Sequence, residues 1–153
     1  MSSSLRTKRL LRELRLIKKS PAKNITLESA DTIDKWLVKL RGVEDTIYAD
    51  EEYHLAFEFP ADYPLESPIV TFVGTTPVHP HVYSNGHICL SILYMHWCPV
   101  LTVDAICQSI LSMLSGCEKK ASPDVRPERD DVYVKSAKPS PKDTVWIFDD
   151  IDV

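Results

Sequence analysis

No apolar run in this chain approaches the roughly 18 residues that a membrane-spanning helix requires. The first residues offer no uninterrupted apolar core of the kind a secretory signal carries, because Arg6, Lys8, Arg9, Arg12 and Arg15 are spread among the leucines. A basic amphipathic start also fits an organelle presequence, and Glu13 and the run-on into a folded pattern argue against that reading. The four cysteines, Cys89, Cys98, Cys107 and Cys117, form no C-x-x-C pair. Without a signal they read as reduced thiols, and a cytoplasmic or nuclear location is expected. There are no internal repeats and no basic strip interleaved with aromatics, so neither a solenoid nor a nucleic-acid partner is expected, and no membrane partner either.

What is present is an ordinary globular composition of 153 residues, 44% apolar and 26% charged, enough to bury one core. The formal charge of −4 conceals an asymmetry. Residues 1–20 hold seven Lys or Arg and one acid, leaving eleven and twenty-one for the remainder. A basic helix on an acidic body suits an acidic protein partner, although a solvated helix face gives the same pattern.

The spacing of Leu10, Leu14 and Ile17 predicts an amphipathic helix over 4–19, stopped by Pro21. Strand alternation follows in Trp36–Leu40 and most cleanly in Tyr53, Leu55, Phe57 and Phe59. Ile69–Val73 is a β-branched run between Pro68 and Gly74, and a weaker strand lies around Ile25–Leu27. Short connections make these four an antiparallel meander. Pro60–Pro68 and Trp97–Val100 are proline-stiffened loops, the first with Leu65 exposed. Thr102 is placed to cap a helix carrying Val103, Ile106, Ile110 and Leu114, with Gly116 as its stop and Cys107 as a small buried hydrophobe. The expected class is α+β: an N-terminal helix, a four-stranded antiparallel meander, an active-site loop, one core helix across the sheet, and a short irregular C-terminal tail. Residues 1–118 form the core and 119–153 a proline-interrupted, partly flexible extension, anchored at most by Val145–Phe148.

The loop HPHVYSNGHICLSIL, residues 79–93, holds three histidines, an Asn-Gly turn signal and Cys89. Three chemistries suit it. His79, His81, His87 and Cys89 offer the nitrogen and sulfur ligands of a zinc site, but the turn would have to fold them together, and no metal is expected. A cysteine hydrolase needs a group orienting its imidazole, and none is recognisable. A cysteine that carries an acyl group as a thioester and hands it to an amine needs a nucleophilic thiol and oxyanion donors, with no strong base beside it.

The succession Y-P-x-x-S-P, H-P-x, N-G-x-I-C-L-x-I-L and W-x-P, in that order over residues 5–117, resembles the ubiquitin-conjugating enzyme family. Within it, the wording of the central loop is closest to the members that modify protein N-termini. The resemblance implies that Cys89 carries ubiquitin as a thioester, with His81 and Asn85 assisting and His79, Pro80 and Ser91 shaping the loop. It implies an activating-enzyme surface at Lys8, Arg9 and Arg12, and a RING or U-box ligase surface at Leu65, Trp97, Pro99 and Val100. Trp146, Asp149 and Asp150 are candidates for holding a substrate N-terminus. No cofactor is implied, since ATP is used by the activating enzyme.

The departures from the family pattern matter as much. His81 stands where most members have Asn, and Ser91 where most have an acid. The stretch Glu118–Asp124 carries lysines where acids are expected, and the family's C-terminal helices look absent. In the family that the chain resembles, those acids are credited with handling an incoming lysine. At pH 7 about one α-amine in seven is neutral against about one lysine in 2,500, a difference of roughly 3.5 kcal/mol in deprotonation. A site without lysine-handling acids can still use an N-terminal amine, with His81 accepting the remaining proton. The expected function is transfer of ubiquitin to flexible protein N-termini. A general lysine-directed enzyme and a non-catalytic ubiquitin-binding adaptor are the alternatives.

Overall fold

The computed structural model describes residues 2–20, 22–117 and 126–148, with side chains from residue 5 onward. Helix α1 spans Ser2–Lys19. Its buried stripe is Leu10, Glu13 and Ile17, with Leu14 half-buried, so the predicted apolar face turns inward and includes one carboxylate. Pro21, assigned as the helix stop, lies outside the described residues.

Strands β1 (Ile25–Thr32), β2 (Lys35–Arg41), β3 (Glu52–Glu58) and β4 (Ile69–Val73) form one antiparallel sheet in the order β1-β2-β3-β4. The meander is the one expected. β1 runs longer than its weak apolar signal suggests, because register shifts after Leu27 and Ser29 break its alternation. In β2 and β3 the alternation sets the register: Trp36 faces Phe57, Val38 faces Leu55 and Leu40 faces Tyr53, while Leu55 and Phe57 meet Phe72 and Val70 of β4. These side chains are all buried on one face. Each aliphatic or Phe side chain removed from water there contributes about 1.5–3 kcal/mol.

Helix α2 (Val103–Ser115) contributes Val103, Ile106, Cys107, Ile110, Leu111 and Leu114 to the same buried cluster. Thr102 caps it as expected, its hydroxyl accepting the Ala105 N–H at 3.1 Å. Gly116 ends it without entering the left-handed region, at φ −77°. The extension read as irregular contains a two-turn helix, α3 (Asp130–Ser136), and a 3-10 turn at Pro141–Asp143. Its sequence, DDVYVKS, is short and rich in Val, which is why no helical signal stood out.

Candidate active site

The loop after β4 is tied to the sheet by backbone. Gly86 sits at φ +91°, and a Cβ there would lie 2.1 Å from the Phe72 carbonyl oxygen, so only glycine fits. Its own carbonyl accepts the Phe72 N–H at 2.9 Å. The turn closes with Gly86 N–H to the Tyr83 carbonyl and Tyr83 N–H to the His87 carbonyl, both 2.9 Å. Asn85, at the exposed tip, accepts the His87 N–H on its side-chain oxygen at 3.1 Å. The Asn-Gly signal is therefore a turn that sets where Cys89 falls.

The three imidazoles face different partners. His79, 3% exposed, receives the His81 N–H on Nδ1 at 2.9 Å and has Nε2 3.0 Å from the Met113 carbonyl. A donor on one side and an acceptor on the other dictate the neutral Nε2–H tautomer. Burial pushes its pKa down to about 4. His79 thus bolts the loop to α2, while Pro80 beside it is exposed. His87, also buried, has Nδ1 2.7 Å from the Tyr133 hydroxyl, and burial lowers its pKa against a backbone hydrogen bond with Pro139. His81 lies with Nδ1 3.1 Å from the carbonyl oxygen of Cys89. That carbonyl fixes the proton on Nδ1 and leaves the lone pair on Nε2. Among the described residues no group of three or more His, Cys, Asp or Glu is arranged to hold a metal.

Cys89 is half-buried between two buried neighbours, Ile88 and Leu90, and its N–H donates to the His81 carbonyl at 2.8 Å. Ile88 points into the core and its carbonyl takes the Tyr94 hydroxyl at 2.6 Å, so the chain cannot rotate the thiol inward. Ser91, buried, opens a 3-10 turn (Ser91–Leu93), and its carbonyl accepts the N–H groups of Tyr94 and His96. A cleft of about 560 Å³ opens beside this segment, bounded by His79, His81, Ser91, Ser112, Met113 and Cys117.

The C-terminal segment returns to this site. Asp130 accepts the Ser84 N–H at 2.8 Å, docking α3 against the loop. Tyr133 packs tilted against Tyr83 at 3.9 Å between ring centres and links His87 to the Thr144 hydroxyl at 2.9 Å. Trp146 stacks on Tyr94 at 5.1 Å, and Phe148 on Tyr94 at 5.9 Å. The Ile147 carbonyl then lies 3.6 Å from Cys89 Sγ, which donates to it. Trp146 therefore immediately precedes the residue whose carbonyl meets the thiol, while its own ring rests on Tyr94. Asp149, Asp150 and the lysine-bearing stretch Glu118–Asp124 lie outside the described residues.

Two further surfaces are assembled. Leu65 and Val100 are 77% and 80% exposed, Pro99 is exposed, and half-buried Trp97 donates its indole N–H to the Pro64 carbonyl at 2.8 Å. That bond joins the two proline-stiffened loops into one patch. On α1, Lys8 and Arg12 are exposed, whereas Arg9 is engaged with Glu13 at 2.9 Å and with the Leu101 carbonyl at 2.8 Å. Arg9 is therefore a packing residue as well as a surface cation. Sequence reasoning missed Glu13 and Tyr133. An acid at 13 on the stripe through 10, 14 and 17 was a legible signal; Tyr133 had none.

A meander with one helix across it, and a free cysteine presented by an H-P…N-G loop, define the class of ubiquitin-conjugating enzymes. The family model described as ubiquitin-conjugating enzyme matches residues 9–139, and the chain belongs to that family. It is 50% identical over 144 residues to the probable ubiquitin-conjugating enzyme E2 W of Dictyostelium discoideum, covering 94% of each chain. It is 45% identical to the probable ubiquitin-conjugating enzyme E2 W-A of Danio rerio, covering 94% of this chain and 95% of that one. The crystal structure of a ubiquitin-conjugating enzyme from Agrocybe aegerita superposes with a TM-score of 0.83 at 46% identity, over 88% of this chain and 96% of that one.

Proposed function

We propose that Cys89 carries the C-terminal carboxyl of ubiquitin as a thioester and passes it to the α-amino group of a flexible protein N-terminus. The observation that carries this reading is a half-buried thiol on the same loop as an imidazole whose Nδ1 is committed to the Cys89 carbonyl. His81 Nδ1 is committed to the Cys89 carbonyl, so Nε2 is the proton acceptor. The amine nitrogen attacks the thioester carbonyl, the C–S bond breaks, Cys89 leaves as thiolate, and the amine's extra proton passes to Nε2. An α-amine suits this arrangement because about one in seven is already neutral at pH 7.

The other surfaces fit the remaining partners. The basic face of α1 with Lys8 and Arg12 suits an acidic surface on the activating enzyme, which consumes the ATP. The apolar patch of Leu65, Trp97, Pro99 and Val100 suits a RING or U-box ligase. Reduced thiols suit the cytoplasm or nucleus.

The test is discharge of the charged enzyme onto free lysine and onto short peptides with free or acetylated N-termini. Transfer to the free N-terminus alone supports the reading; equal modification of lysine overturns the α-amine preference and leaves a lysine-directed enzyme. Cys89→Ala removes the thiol-sensitive adduct altogether. His81→Ala slows discharge by about 10²-fold while charging continues.

A further inference from the structure

The C-terminal segment does more than pass near the thiol. From Asp143 to Phe148 its exposure alternates: Val145 and Ile147 are 95% and 85% exposed, while Thr144, Trp146 and Phe148 face the protein. The backbone is therefore laid flat across Cys89 with one carbonyl turned in. Two anchors hold it there. Tyr133 bonds His87 on one side and Thr144 on the other. Lys142 reaches the Ser67 carbonyl at 2.8 Å and Glu66 at 3.1 Å, on the loop that carries Leu65.

We propose that this segment is a built-in cover over Cys89, latched by Tyr133 and Lys142, which must lift before the thiol can be acylated. The steric reason lies at Sγ. The thiol hydrogen points toward the Ile147 carbonyl oxygen, 3.6 Å from sulfur. In a thioester the acyl carbon takes the place of that hydrogen, and on this rotamer it would fall well inside van der Waals contact of the oxygen. With this arrangement about the Cβ–Sγ bond, loading requires the strip to shift, and the strength of its anchors sets how often it does. The cover also separates Cys89 from bystander thiol reagents. Because Lys142 grips the loop bearing Leu65, a partner seated on that loop competes with one anchor and loosens the strip. That last consequence rests on the ligase reading above; the cover does not.

The test uses the full-length chain and needs no ubiquitin, so its failure is distinct from failure of the proposed function. The alkylation rate of each cysteine by iodoacetamide is followed by peptide mass spectrometry, with exposed Cys98 and buried Cys107 as internal references. Tyr133→Phe removes one hydroxyl and both of its bonds; Trp146→Ala removes the stacking on Tyr94. The expected result is Cys89 alkylation several-fold faster in both variants, with Cys98 unchanged and Cys107 still protected. A Cys89 rate within twofold of the wild type in both variants overturns the cover. So does a rise at Cys89 that occurs only together with Cys107, since that reports loosening of the whole fold.

Discussion

Glu13 Oε1 accepts the backbone N–H of Val103 at 2.7 Å, across ninety positions of sequence. Its other oxygen takes Arg9 at 2.9 Å and the hydroxyl of buried Tyr63. One carboxylate thus caps the core helix, orients α1, and fastens the proline loop that presents Leu65. The first turn of a helix carries unsatisfied N–H groups and a partial positive charge, so a buried carboxylate is well matched there.

Replacing Glu13 with Leu leaves Arg9 Nε, the Tyr63 hydroxyl and the Val103 N–H without their acceptor, Arg9 keeping its hydrogen bond to the Leu101 carbonyl. The expected loss is about 3–5 kcal/mol, read as a lower urea midpoint at unchanged slope. Adding Arg9→Met should recover part of it, because the stranded cation is then gone. Arg9→Ala for the same reason is first a stability change, so Lys8 and Arg12 are the cleaner probes of the proposed activating-enzyme surface.

Gly86 and Gly74 separate two effects of a side chain on a left-handed backbone. Both have positive φ, but a Cβ at Gly74 meets nothing within 4 Å, whereas at Gly86 it meets the Phe72 carbonyl at 2.1 Å. Gly74→Ala should cost about 1–2 kcal/mol from backbone strain alone. Gly86→Ala adds overpacking of about 1–3 kcal/mol and displaces the turn before Cys89, so thioester formation should fall with it. Parallel urea melts and charging assays of the two variants check this.

His79 makes stability depend on pH in a defined sense. Its imidazole is neutral in the folded protein down to about pH 4, against an ordinary value of 6.5. The unfolded chain therefore binds the extra proton first, and the contribution is whole above pH 6.5 and lost as pH falls toward 4. The span corresponds to about 3 kcal/mol. His87, shifted down as well, acts in the same direction. In His79→Gln the gap in urea midpoint from the wild type should narrow between pH 7 and pH 4.

Trp97 holds the two halves of the apolar patch together through Pro64. Trp97→Phe deletes that hydrogen bond while keeping a ring, at an expected cost of about 1 kcal/mol. If the patch is the ligase surface proposed above, discharge stimulated by a RING or U-box ligase should drop more than unstimulated discharge, which a paired kinetic assay reads directly.

The sheet and both long helices were legible because their signals are local. Alternation in Tyr53–Phe59 and the Thr102 cap each depend on neighbours within a few residues. The position of Cys89 was legible too, through the Asn-Gly turn. What could not be read was set by distant partners. Glu13 looked like a lone acid in a basic helix until Tyr63 and Val103 met it. Asp130–Ser136 owes its helix to docking through Asp130 and Tyr133, not to propensity. The aromatic cluster Val145–Phe148 was noticed, but its landing point on Tyr94 is fixed by ring contacts that no spacing encodes.

The hydrogen bond from Phe72 to Gly86 occupies a donor on the rim strand of the sheet. An unpaired rim is a template on which a second molecule can add a strand, the usual first step toward insoluble assemblies. Here the segment that bears the thiol is what blunts that rim. Variants that open the segment should precipitate as well as lose turnover, so solubility and chemistry are selected through the same few backbone atoms.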